Sequence, residues 1–418
     1  MNDQRDKTES RTLELSPTGY FEDAEWIGVG WQLSEANSEI LNLKYSVPKD
    51  MRSLLPEIDR GDHVLAAVLL YAMRNADALH VRGVVSPKLL DGLYTLQCIW
   101  SRWRRELYRK IEISADVERP SQGRSGDGAV FALSGGVDAT FSLFRHLTGA
   151  VHRCSRRPEA AMLVQGMDIP INRDDYFQGA VRRAELCLKG TNVPIIPVRT
   201  NSRQLSQAWL DSYGLQLASC SLLLQHAFPW AIHGSNEPFD ALVLPLGSTP
   251  LTDHLLSTEA QSALVDGGDF DRTEKVDWLA RNTSETTLSN IRVCWAGEKK
   301  DRNCGTCEKC LRTMLNFWAL GHSVPRAFDS ALSIPRIVHL KAANTVQLAE
   351  LVSLAQHAKR HGHTRTRIFW SLQFAILRSR ILLSVSGTAS WIKRRAPWLY
   401  RVLKGLMDFV NGRKRGIM

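Results

Sequence analysis

The chain has 418 residues, 44% hydrophobic and 23% charged, and its 53 Lys+Arg against 43 Asp+Glu give a net charge of +10. That composition excludes a disordered or fibrous polypeptide and allows two or three domains with sizeable cores. The excess charge is local: residues 359–418 hold 14 basic residues and one acid, Asp408, so this stretch carries +13 and the preceding 358 residues −3.

The opening Met1-Asn2-Asp3-Gln4-Arg5-Asp6-Lys7 lacks the apolar core of a signal peptide, so a cytoplasmic location is expected. Residues 1–117 read as an N-terminal α+β domain, with strand-like material at 26–47 followed by two helices. Ser86 can cap the second helix and Pro87 suits its first turn. Leu89, Leu93, Leu96, Trp100 and Trp103 recur every three or four residues and form one core-facing stripe. Residues 118–128 are polar, glycine-rich and aperiodic, and read as an interdomain linker.

From Ala129 strands and helices alternate. Strands are expected at 129–133, 160–164, 193–198 and 241–245, with helices starting near Thr140 and Asp174 and a third over 217–228. This pattern predicts a doubly wound parallel α/β sheet, which binds ligands beyond the carboxyl ends of its strands. Gln165-Gly166-Met167-Asp168, Arg199-Thr200-Asn201 and Leu246-Gly247-Ser248-Thr249 all fall at such ends.

So does Ser134-Gly135-Gly136-Val137-Asp138-Ala139-Thr140, between the first strand and its helix. Adjacent glycines let backbone N–H groups converge on an anion, and the following helix adds its positive end. Ser134 and Thr140 can add hydroxyls. Asp138 would repel a phosphate unless a divalent cation lay between them, so the loop reads as a Mg-nucleotide site.

Four of the eight cysteines are clustered: Cys294, then nine residues, then Cys304-Gly305-Thr306-Cys307-Glu308-Lys309-Cys310. Four thiolates at this spacing suit a closed, structural tetrahedral zinc site. An iron–sulfur cluster is the competing reading, but the C-x3-C-P element of ferredoxin-type runs is missing.

With both elements placed, the sequence resembles the PP-loop ATP pyrophosphatase superfamily, whose signature is close to S-G-G-x-D-S. Within it the nearest resemblance is to the 7-cyano-7-deazaguanine synthase (QueC) family, through Cys294, Cys304-Gly305-Thr306-Cys307, Cys310 and Arg312. The resemblance covers roughly residues 129–320, and Ala139 stands where the motif has serine. It implies an adenine nucleotide alpha hydrolase-like fold over 129–325, with bound ATP, Mg²⁺ and Zn²⁺. It also implies an AMP- and pyrophosphate-forming, C–N bond-forming ligase that adenylates a carboxylate or amide substrate. The loop Ser134, Gly135, Gly136, Val137 and Asp138 would hold the pyrophosphate, with Ser134, Asp138 and Thr140 in catalytic roles. Enlarged relatives of this kind occur in bacterial anti-phage defence operons, which makes a partner protein or nucleic acid an alternative substrate. A zinc-stabilised scaffold that binds ATP without turnover is a further alternative, motivated by Ala139.

Asp168 is a nucleotide or Mg²⁺ candidate, or else a solvated turn residue. Arg312, just beyond the last cysteine, is a phosphate candidate. Arg272 and Lys275 could hold an acidic substrate, although such residues usually form a solvated helix face. Ser248, Asp253, His254 and Glu259 lie in a polar loop suited to substrate contact or to internal hydrogen bonding. Residues 326–418 read as a helical basic region. The longest apolar stretch there, 368–377, is cut by Arg378 and Arg380 well short of the ~18 residues that span a bilayer, so no transmembrane helix is expected. Within this region Leu399, Val402, Leu403, Leu406, Met407 and Val410 predict an amphipathic helix for packing or for a protein or nucleic-acid partner.

Overall fold

A computed structural model describes residues 11–36 and 38–395. The amphipathic helix expected around Leu399–Val410 lies outside them. The chain divides into two units: the residues up to Cys310 with Val324–Asp329, and Leu311–Ser323 with the residues from Ser330 onward.

The first unit begins with β1 (Thr12–Glu22), β2 (Trp26–Glu35), β3 (Ser38–Pro48), α1 (Asp62–Asn75), β4 (Ala78–Val85), α2 (Pro87–Trp103) and β5 (Glu112–Glu118). It continues with β6 (Gly128–Ala132), α3 (Val137–Leu147), β7 (Arg157–Gln165), α4 (Asp174–Cys187), β8 (Ile195–Thr200), α5 (Trp209–Leu222), β9 (Trp230–Gly234), β10 (Ser262–Asp266), α6 (Arg272–Asn282) and α7 (Glu285–Ser289). All ten strands form one sheet in the order β10-β9-β6-β7-β8-β3-β2-β1-β4-β5. The half from β10 to β8 is parallel; β8–β3, β3–β2 and β2–β1 are antiparallel, and β4 and β5 rejoin in parallel.

Alternation along the central strands buries both faces. Val130, Met162, Val164, Ile196 and Val198 join a core with α1, α2 and α5. The intervening Phe131 meets His146 of α3 edge-on, with ring centroids 5.2 Å apart. This is the mostly parallel α/β sheet flanked by helices that the sequence pattern predicts.

Two expectations need correction. Residues 1–117 are not a separate domain. The same core takes Trp31, Tyr45, Leu65 and Leu93 from that region, and Tyr45 Oη lies 3.1 Å from Ser219 Oγ of α5. The segment 118–128 therefore joins two strands of one sheet, and it is pinned where Ser121 N–H donates to Glu259. Nor do residues 241–245 form a strand. They run along the surface, with Val243 N–H donating to the Glu237 carboxylate, and the sheet is completed by β9 and β10 on either side. Pro245 removes a ladder donor, so an apolar run alone did not suffice there. The helix expected over 217–228 begins earlier, at Trp209.

As the capping residues predict, Ser86 Oγ accepts from Leu89 N–H at 3.0 Å at the start of α2. Glu259 accepts from Ser86 Oγ and from Lys88 N–H, so this member of the polar loop is a fixture of the helix start. Burial acts against its ionisation, but donors from Ser121, Ser86 and Lys88 outweigh that and hold the carboxyl down to about 2.

His63 of α1 is fully buried between Trp31 and Tyr45, and burial lowers its imidazole to about 3. The unfolded chain would protonate it near 6.5 while the folded chain would not. Stability is therefore undiminished above that value and declines as pH falls from 6.5 towards 3, by about 3 kcal/mol at pH 4. His63→Leu is expected to remove most of this loss. Urea unfolding at pH 7 and pH 4 checks it, and an unchanged pH difference in the variant would count against it.

The α8 helix (Glu308–Ala319) runs from the first unit into the second. The second unit also contains α9 (Ile334–His339), α10 (Thr345–Arg360) and α11 (Arg367–Arg395). α11 packs on α9 and α10, and its Phe369, Leu372, Ala375 and Ile376 are buried. Among the described residues no helix is long and apolar enough to cross a membrane.

Candidate functional site

β6 carries the chain into the sheet's carboxyl edge, where Ser134 is exposed and the backbone reverses at Gly135. Gly135 has φ +78°, a left-handed conformation that favours glycine, and a Cβ there would make a tight 3.1 Å contact with Arg292 Cβ. Gly136 occupies the N-cap of α3 without a side-chain cap, and its N–H points to Ser134 Oγ at 3.3 Å. The first-turn N–H groups of α3 thus lack a side-chain acceptor of the usual capping kind and are suited to an anion. Val137 is buried and can contribute only its backbone.

Arg292 holds this loop from beneath. Its N–H donates to Gly135 O at 2.7 Å and its Nε to Ser134 O at 3.2 Å. The same guanidinium reaches Asp168 at 2.9 Å and Lys300 O at 3.0 Å. Asp168 is thereby joined to the loop through an arginine. The sequence reading did not single out Arg292, although its place two residues before Cys294 was the available signal.

Asp138, in the first turn of α3, is clasped by two cations from α6. Arg272 meets one carboxylate oxygen at 2.7 Å and Lys275 the other at 3.3 Å. Lys275 is 1% exposed and also donates to Ser235 O at 2.6 Å. Burial alone would raise the Asp138 carboxyl, but Arg272, then Lys275 and Lys309, outweigh it and hold it below the usual carboxylate range. Burial pushes the Lys275 ammonium down, against the pull of Asp138.

These contacts correct the reading of Arg272 and Lys275 as a solvated face. Asp271 and Glu274 form a capping box at the start of α6, shortly after β10, so the first turn of that helix begins at the ligand edge of the sheet. They also correct the role expected for Asp138. With both Asp138 oxygens engaged by cations, that carboxylate does not fit a Mg²⁺ ion as it stands, while Asp168 gives one oxygen to Arg292. The arrangement is instead suited to meeting phosphate charge with guanidinium and ammonium groups.

Two further expected contributors point elsewhere. Thr140 is fully buried with its side chain towards the Cys187 thiol of α4, because the fourth helical residue turns onto the core. Arg312 lies in the second unit, where its guanidinium pairs with Glu350. In the polar loop, Asp253 accepts from Ser248 Oγ at 2.6 Å and from Thr249 N–H at 2.9 Å, which is internal loop bonding.

The four clustered cysteines come together as one site. Their Sγ atoms all lie within 4.8 Å of one another, with Cys294–Cys304 at 3.6 Å, Cys294–Cys307 at 3.7 Å and Cys304–Cys310 at 4.0 Å. Sulfurs bound tetrahedrally to zinc at ~2.3 Å would be about 3.8 Å apart, so the cluster has the dimensions of a closed metal site. N–H groups of Gly297 and Cys307 point at Cys294 Sγ and Cys304 Sγ, at 3.2 Å and 3.3 Å, the kind of outer contact that orients thiolates. Comparison of the chain with protein-family models, with curated proteins and with solved structures found no match.

Proposed function

We propose that the chain is an ATP-dependent, AMP-forming enzyme of the QueC-like kind, with the triphosphate end of the nucleotide on Ser134–Val137. One observation carries the reading. The uncapped start of α3 follows a Gly135–Gly136 turn directly, and Asp138 beside it gathers Arg272 and Lys275.

In this reading a carboxylate oxygen of the substrate attacks the α-phosphorus and pyrophosphate leaves. An amine nitrogen then attacks the acyl carbon, AMP departs and the amine proton passes to solvent. No protein nucleophile is needed. The loop N–H groups, Arg272 and Lys275 meet the charge that grows on the leaving pyrophosphate, while Arg292 keeps the loop in shape. Zinc held by Cys294, Cys304, Cys307 and Cys310 would have a structural role, since four sulfurs leave no open position.

The test is to incubate the full chain with Mg-ATP, ammonia and a carboxylate such as 7-carboxy-7-deazaguanine and to follow nucleotide products. AMP and pyrophosphate in equal amounts are expected. Formation of ADP and phosphate, or no retention of nucleotide, overturns the reading. Nucleotide binding without cleavage under every acceptor tried supports the scaffold alternative, which Ala139 favours.

A further inference from the structure

The second unit is strongly basic in sequence. Its segments Leu311–Ser323 and Ser330–Met418 hold 17 Lys+Arg and two acids, Glu350 and Asp408. Glu350 is already paired with Arg312. No acidic residue occurs from Leu351 to Met407, a stretch that contains the whole of α11.

Two sides of α11 are apolar, and only one of them is covered. Phe369, Leu372, Ala375 and Ile376 form the buried side of a helix that packs on α9 and α10. Trp370, Phe374, Leu377 and Ile381 also recur at helical spacing, yet each is more than half exposed. At 3.6 residues per turn these four fall within about 60° of one another around the axis, so they make one continuous stripe. Arg367 lies along one edge of the stripe and Arg380 along the other, and both are exposed. Arg378 is engaged elsewhere, donating to His339 O at 2.5 Å and Leu340 O at 3.1 Å at the end of α9.

Charge decides what fits this face. A second copy would bring the same arginine-edged stripe against itself. Residues 396–418 carry five Lys+Arg against Asp408, so they too would meet the face with like charge. A nucleic acid would pair with the arginines but would set Leu377 and Ile381 against sugar and phosphate. An anionic bilayer surface answers both features, since headgroup phosphates and carboxylates meet the arginines while the boundary of the acyl chains takes the stripe. Tryptophan and phenylalanine suit that boundary particularly well.

We propose that the exposed face of α11 docks the protein on an anionic lipid surface, with the helix lying in the plane of the headgroups. Trp370, Phe374, Leu377 and Ile381 enter the boundary between headgroups and acyl chains, and Arg367 and Arg380 meet the lipid phosphates from either side. Arg378 and Arg380 interrupt the apolar run, so the helix lies on the bilayer and does not cross it.

The test is flotation of the full-length chain with phosphatidylcholine vesicles containing about one third phosphatidylserine. Binding is expected, weaker on pure phosphatidylcholine and weaker as salt rises. Arg367→Gln and Arg380→Gln should each reduce it about fivefold. Trp370→Ser combined with Leu377→Ser should reduce it about tenfold or more, with an unchanged circular dichroism spectrum because both side chains are exposed. Trp370→Phe should retain most of the binding. Absence of flotation with the phosphatidylserine vesicles overturns the proposal, as does flotation that the double serine variant leaves intact. A concentration-dependent dimer in light scattering, lost in that variant, would instead make the face a contact between copies and overturn the lipid assignment. Tighter binding to a duplex oligonucleotide than to the vesicles, lost in the same variant, would overturn it in favour of nucleic acid.

Discussion

Lys275→Met is expected to slow AMP and pyrophosphate formation by about a hundredfold to a thousandfold while leaving the chain folded, the loss typical of removing one preorganised charge from a transition state. The expectation follows from the sharing of contacts around one ammonium. Lys275 lies 2.6 Å from Ser235 O and 3.3 Å from Asp138, so it is held in place before any ligand arrives. Methionine keeps a flexible apolar stem in the buried slot, and Asp138 keeps Arg272 at 2.7 Å, so the acid is not stranded. Asp138→Asn should behave differently. It leaves Arg272 and Lys275 facing each other in a buried site, and a cost of about 3 kcal/mol in stability is expected. Combining it with Lys275→Met should recover part of that loss, because the double variant has one cation fewer to strand. Pyrophosphate release and urea unfolding, measured on the same samples, separate the two effects. Wild-type turnover in Lys275→Met would mean that the three residues are only a structural ion cluster.

The loop was legible in the sequence because every part of it is local. A buried strand, two glycines and the start of a helix are contiguous from Ala129 to Leu147, and local spacing determines their geometry. The cysteine site was legible for the same reason, since its ligands fall within seventeen residues. Arg272, Lys275 and Arg292 were not, because each meets the loop across more than 130 residues of intervening chain. What decides their roles is which helix start or turn the sheet order brings to the β6 edge, and periodicity says nothing about that order. The domain boundary failed on the same ground. The segment 118–128 has the composition of a linker, but composition cannot report that β3 pairs with β8 and closes both halves into one sheet. Thr140 failed for a smaller reason. One turn of helix rotates a residue from the loop side to the core side, and Thr140 is already past that point.

Cys307→Ser with Cys310→Ser is expected to abolish metal binding and, with it, retention of nucleotide, although neither cysteine is among the residues around the glycine loop. Elemental analysis of the wild-type chain should find about one zinc per chain, and a brown, iron-containing protein would overturn the assignment. The coupling to nucleotide runs through the segment before and between the ligands. Asn303, just before Cys304, accepts from the N–H groups of Val293 and Cys294 at 2.8 Å and 3.1 Å. It donates to Ile291 O at 2.8 Å and Ala327 O at 2.9 Å. That network fixes the backbone of residues 291–294, and Arg292 within it supplies three donors to the loop and Asp168. Binding energies of about 10–16 kcal/mol for structural zinc in small zinc-finger peptides show how much local order a four-sulfur site can supply. Without it, the ten-stranded sheet should persist on its own core while residues 291–310 lose their fixed path. Far-ultraviolet circular dichroism should therefore change little while ATP affinity falls at least tenfold, a loss of about 1.4 kcal/mol. Chelation of the wild-type chain should reproduce this result, and zinc should reverse it. Unchanged ATP affinity in a metal-free, folded chain would break the link between the cysteine site and the loop.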